Sequence, residues 1–193
     1  MGRIVVTEFV SLDGVMQDPG GAEGFKHAGW TFRFNRGDEG DQFKLEELRG
    51  SESQLLGRVT YEAFAQAWPT MEDPVGFADQ MNAMPKYVVS TTLRDDEATW
   101  NNSTVIRGDV VSEIAALKGR VRGDLLVAGS ATLVQTLMEH RLIDELRLMI
   151  FPIVLGTGKR LFGDVSEPPT MVLDNIKTVG EGIVILTYNA ASR

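Results

Sequence analysis

Apolar residues in this chain fall into short runs separated by amphipathic stretches, and that rhythm predicts alternating strands and helices. Arg3–Val10, "RIVVTEFV", carries β-branched residues at both odd and even positions, so it reads as a strand buried on both faces in the middle of a sheet. Ser11–Ala28 is punctuated by glycine and proline and reads as loop. Asp38–Arg49 has the spacing of a helix, with Phe43, Leu45 and Leu48 apolar and Gly50 as its stop. Ser53–Leu56 is a short strand running into a helix over Val59–Ala67, which Trp68-Pro69 ends. Thr70–Pro85 reads as a second irregular segment. Tyr87–Thr91 and Thr104–Arg107 are strands, Val110–Lys118 a helix, Asp124–Ala128 a strand and Ala131–His140 a helix. Leu142–Leu155 opens with a turn and continues as a long strand, and a glycine-rich stretch follows at Gly156–Gly163. Met171–Thr178 and Ile183–Asn189 flank "VGEG" and read as a closing hairpin.

This order, with helices between most strands and an all-strand tail, predicts an α/β fold: a largely parallel sheet with an antiparallel edge. No composition shift, repeat or low-complexity stretch divides residues 1–193, so one domain is expected. A chain of this length can bury roughly 70% of its unfolded surface and needs no covalent staple.

Composition narrows the chemistry. With no cysteine, disulfides, thiolate metal sites and cysteine nucleophiles are excluded, which suits a reducing, cytoplasmic setting. The first residues show no signal-peptide pattern, and no apolar run approaches the ~20 residues that span a bilayer. A net charge of −8 argues against nucleic acid as partner, and the short basic stretch Lys118–Arg122 reads as a solvated helix end. A local cradle for a small anion does not depend on net charge.

Two stretches share one design. "QLLGRVTYEAF" and "DLLVAGSATLVQTL" each pass from an apolar strand through glycine to a hydroxyl-bearing helix start. In an open α/β sheet, ligands bind at the carboxyl ends of strands, where helix starts offer unpaired N–H groups. Gly57 and Gly129 permit close backbone approach, Arg58 offers a fork suited to phosphate, and Ser130 and Thr132 can either cap the helix or touch a phosphate. The usual fingerprints are absent. "GTGKR" at Gly156–Arg160 has Ile153 where a P-loop needs its first glycine and Arg160 in place of Ser or Thr, and "GEGIVI" lacks the third glycine of a dinucleotide motif. The only histidines are His27 and His140, so neither a histidine metal site nor a hydrolytic triad is expected. "SLDGVM" at Ser11–Met16 stands where the first strand leaves the sheet. Its hydroxyl and carboxylate can bind a polar substrate or simply make an Asp-Gly turn.

Taken together, "FVSLDGVM", "LLGRVTYEAF", "KYVVSTTL", "LLVAGSATLVQTLM" and "LIDELRLMIFPIVLGTGKRLF" resemble, in order, the dihydrofolate reductase superfamily. The nearest branch is the riboflavin-biosynthesis reductase domain (the RibD C-terminal domain) and its stand-alone bacterial relatives. The resemblance implies a three-layer fold with a central sheet of about eight strands and helices on both faces. It also implies NADPH as cofactor and hydride donor. It places Leu56, Gly57, Arg58 and Thr60 at the pyrophosphate and 2′-phosphate, Ser90 and Thr91 near the adenosine phosphate, and Gly129, Ser130, Ala131 and Thr132 around the pyrophosphate. Ser11, Asp13 and Gly156 fall on the substrate side. Asp13, or Asp41 at the distance of the dihydrofolate reductase helix acid, is the candidate proton donor. The substrate implied is a polar heterocycle or ribosylaminopyrimidine, with a dihydrofolate reductase or a nucleotide-binding module without turnover as alternatives. A homodimer is also implied, with the Leu146–Leu155 strand and the C-terminal hairpin as contacts. Trp30–Arg36 could cover a ligand or, through Trp30, Phe32 and Phe34, contact a partner copy.

Overall fold

In the computed structural model, which describes residues 1–191, β1 (Arg3–Ser11) lies inside an eight-stranded sheet. Parallel neighbours flank it on both edges: β5 (Asp124–Val127) and β6 (Glu145–Phe151). Ile4 and Val6 pack under α4 (Val110–Arg120) and α5 (Ala131–Glu139) with Ile114, Leu117, Val134 and Leu137. Val5 faces the other layer, where Leu56, Tyr61, Met81 and Trp100 gather. Burial on both faces explains why the strand carries β-branched residues at successive positions.

The full order is β4-β3-β2-β5-β1-β6-β8-β7. β2 (Ser51–Gly57), β3 (Lys86–Val89) and β4 (Ser103–Ile106) extend the parallel part to one side. β8 (Ile183–Ala190) joins β6 antiparallel, and β7 (Met171–Val179) closes the far edge antiparallel to β8. α1 (Gly37–Arg49), α2 (Arg58–Ala67) and α3 (Phe77–Ala83) lie in the second helical layer. The predicted α/β class, parallel sheet and antiparallel tail are all present.

The sheet opens at a defined place. β5 ends at Val127, opposite Val6, whereas β1 runs on to Ser11 beside β6. Beyond Val6 the β5 side of β1 therefore has no strand neighbour, and the turn between β5 and α5 occupies that edge. This is the crevice at which doubly wound sheets bind ligands.

The structure corrects the sequence reading in three places. Thr70–Pro85 is not wholly irregular, because it contains α3, whose first amides at Phe77 and Ala78 donate to the Asp73 carboxylate. The long strand stops at Phe151, since Pro152 has no N–H for the ladder. Trp30 is not a surface residue. It is fully buried, edge-on to Phe151 at 5.4 Å, and donates its indole N–H to the Gln17 carbonyl, so only Phe32 of that segment's aromatic residues is freely exposed.

Candidate active site

β2 delivers Leu55 and Leu56 into the core and reaches the sheet edge at Gly57, the residue before α2. Gly57 has an ordinary extended backbone, φ −77° and ψ 158°, so conformation does not demand glycine. Space does: a Cβ there would lie 2.2 Å from Ser130 Oγ. Gly129, at the end of the β5 turn, has φ +82°, and a Cβ there would lie 2.7 Å from Thr60 Oγ1. The two glycine turns singled out in the sequence thus touch each other, Gly57 against Ser130 and Gly129 against Thr60. The Gly129–Ser130 peptide is cis.

Ser130 sits at the N-cap of α5 without making a side-chain capping bond, so the capping alternative is set aside and its hydroxyl stays available. Ala131 is half-buried and Thr132 is exposed at the same helix start. Arg58 is exposed beside the first turn, its Nη1 donating to both carboxylate oxygens of Glu62 at 2.9 and 3.0 Å. At the end of β3, Ser90 is buried and its Oγ accepts the amides of Thr92 and Leu93, while Thr91 is exposed. Ser90 thus braces its own turn.

On the other side of β1, Ser11 Oγ donates to Asp13 Oδ1 at 2.7 Å and accepts the Val15 amide. Asp13 also receives the amides of Leu155, at 3.1 Å, and Gly156, at 2.8 Å. The carboxylate therefore clamps the turn after β1 to the turn after β6, and Arg160 adds a bond to the Asp13 carbonyl. The Ser11 hydroxyl foremost, with the Leu155 and Gly156 amides, holds Asp13 down to about 2. These bonds favour the carboxylate form and make Asp13 an anchor between the two turns rather than a ready proton donor. Asp41 is corrected as well: it lies on the outer face of α1, paired with Arg36 at 2.6 Å, while Gly40 of the same turn faces inward. Equal sequence distance does not secure equal helical phase.

The charged residue of the site that sequence reasoning passed over is Glu8. Buried in β1, it accepts the Gly129 N–H with Oε1 at 2.7 Å. Burial pushes its carboxyl up to about 8. The signal was present, since a lone glutamate inside "RIVVTEFV" is out of place in a strand buried on both faces. A cavity of about 250 Å³ lies on the far side of α5, near Met138, Leu161 and Met171, and has none of the two turns' residues in its lining. Among the described residues no histidine or acidic cluster is arranged for a metal ion.

The model of the RibD C-terminal domain matches residues 3–185. The chain belongs to that family. The uncharacterized protein YyaP of Bacillus subtilis is 28% identical over 190 residues, covering 97% of this chain and 94% of the relative. A putative riboflavin biosynthesis protein from Shewanella sp. PV-4 superposes with a TM-score of 0.79 at 21% identity, over 98% of this chain and 99% of that one. Dihydrofolate reductase from Enterococcus faecalis, solved with NADP(H), superposes with a TM-score of 0.57 at 15% identity, over 98% and 97% of the two chains. The expected dihydrofolate reductase-like fold and the RibD C-terminal assignment both hold.

Proposed function

We propose that the chain is an NADPH-dependent reductase of a polar heterocyclic or ribosylaminopyrimidine substrate. The observation that carries this reading is the contact between the two glycine turns, at the place where β1 and β5 part. Glycine at 57 and 129 lets the two turns close on each other, Gly57 against Ser130 and Gly129 against Thr60, so that the helix starts of α2 and α5 meet there. That arrangement suits a pyrophosphate, which needs amide donors at close range. In this reading Leu56, Gly57, Thr60 and Gly129–Thr132 hold the pyrophosphate. Arg58 turns from Glu62 to the 2′-phosphate, and Thr91 lies near the adenosine end with Ser90 shaping its turn. When bound, the reduced nicotinamide supplies a hydride; the chain supplies position and electrostatics. Ser11, Asp13 and Gly156 fix the two loops that would border the substrate.

Thermal shift with NADPH and NADH tests the reading. A nucleotide at 100 times its dissociation constant adds about 2.7 kcal/mol of stability. NADPH should raise the melting temperature more than NADH does. Arg58→Ala should weaken NADPH far more than NADH; equal losses would remove Arg58 from the 2′-phosphate, and no shift with either nucleotide would overturn the reading.

A second reading, a nucleotide-binding module without turnover, is favoured by one observation: neither expected acid is placed to give a proton, Asp13 being held in the carboxylate form and Asp41 facing outward. NADPH binding without oxidation across a panel of heterocycles would select it. In either case a homodimer is proposed, with the exposed edge of β7 as its surface, where Val172, Leu173 and Ile176 are exposed.

A further inference from the structure

Glu8 occupies a position that the nucleotide reading leaves unused. It stands on β1 just beyond the last residue paired with β5, is 7% exposed, and binds the Gly129 amide through Oε1 at 2.7 Å. Gly129 is the residue that abuts Thr60, and its neighbour Ser130 abuts Gly57. One side-chain bond from the centre of the sheet thus fixes the joint between the two turns.

The charges around Glu8 leave it without a dedicated cation. Lys44 and Glu47 of α1 act on it with opposite sign. Lys44 is itself engaged by Thr7 Oγ1 at 2.6 Å and by the Glu47 carboxylate. Arg147 of β6 lies 3.7 Å from Glu47 and is bound to Glu145. α2 and α5 meet the turns with Thr60 and Ser130, which carry no charge, and Arg58 is held by Glu62. Burial without a committed cation favours the neutral carboxyl.

We propose that Glu8 is a positioning residue for the nucleotide turn: it fixes the Gly129 amide, and the Gly129–Thr132 turn takes an anionic phosphate group only while the Glu8 carboxyl carries its proton. This rests on the nucleotide reading above. A protonated carboxyl still accepts the Gly129 N–H through its carbonyl oxygen. An ionised one places a negative charge behind the start of α5 and opposes the attraction of its dipole end for phosphate. Phosphate binding and proton binding therefore favour each other, reciprocally.

The test has two arms. In the first, the ¹⁵N–¹H resonance of Gly129 is followed in the nucleotide-free protein from pH 6 to 9.5. It should titrate in wild type and stay still in Glu8→Gln, which keeps the acceptor and removes the proton. In the second, NADPH affinity is measured at pH 7 and pH 9. A group titrating near 8 goes from mostly neutral to mostly ionised over that range, so wild type should weaken about tenfold while Glu8→Gln stays level. Glu8→Leu, which lacks the acceptor, should bind weakly at both values. A Gly129 resonance that does not move in wild type, or equal pH dependence in wild type and Glu8→Gln, overturns the proposal. Failure of wild type to bind NADPH at any pH counts against the nucleotide reading, while the Gly129 titration still decides the Glu8 bond.

Discussion

Gly57 and Gly129 owe their identity to different causes. Gly129 has a left-handed backbone, whereas Gly57 is extended and is glycine only because Ser130 is so near. Gly57→Ala should therefore destabilise by overpacking, by about 1–3 kcal/mol in urea unfolding. Ser130→Gly in the same chain should recover most of that loss, because it removes the side-chain atoms the new methyl would strike. Additive losses in the double variant would sink this account. The sequence placed both glycines in turns but could not show their mutual contact, which joins residues far apart in the chain. The two carboxyls of β1's end show the same limit, since their environments push them in opposite directions. Asp13 is held below its ordinary 3.8, so its contribution to stability is present above that value and is lost as pH falls towards 2. Glu8 is raised above its ordinary 4.5, so its contribution is complete below 4.5 and is lost as pH rises through about 8. Urea midpoints across pH should lose the acid limb in Asp13→Asn and the decline between about 4.5 and 8 in Glu8→Gln. Unchanged profiles would remove these groups as the cause.

At the scale of elements, the helices α1 and α2 were legible because their periodicity and stop signals agree, Gly50 after α1 and Trp68-Pro69 after α2, whereas the end of β6 at Pro152 was read through. α3 was not legible. It has only seven residues, and what secures it lies outside its own sequence. Lys86 of β3 is fully buried beneath it and donates to the carbonyls of Asn82, Met84 and Asn101 at 2.7, 2.8 and 3.0 Å. Its ammonium also lies 4.2 Å from the centre of the Trp100 ring, and Trp100 in turn donates to Asn82. A lysine inside a strand thus closes a helix end and a loop. Lys86→Met keeps the bulk but strips three carbonyls of their donor, and should cost about 2–4 kcal/mol. Hydrogen exchange should quicken first in α3 and around Asn101. A uniform increase across the sheet, or none, would contradict this local role.

For the molecule as a whole, the topology itself explains why the site lies where it does. The chain leaves β1, builds β2, β3 and β4 to one side, and returns to insert β5 between β2 and β1. The two glycine turns follow β2 and β5, which are sheet neighbours, so they meet; Glu8 and Asp13 follow from β1 overrunning β5 on one edge and pairing with β6 on the other. Strand order of this kind depends on long-range pairing that local patterning does not encode, which is why the sequence placed both turns on one sheet edge without showing that they touch. The same order leaves two open edges. β4 is short, but β7 runs nine residues and exposes Val172, Leu173 and Ile176. A long apolar edge is open to pairing unless something covers it, and a two-fold axis lets one copy of β7 pair antiparallel with another through the same residues. Ile176→Lys should therefore convert a dimer to a monomer in sedimentation while leaving the unfolding transition of the monomer little changed, because the side chain is 57% exposed and contributes little to the core. A wild-type chain that sediments as a monomer, or a dimer indifferent to Ile176→Lys, would show that β7 is not the contact.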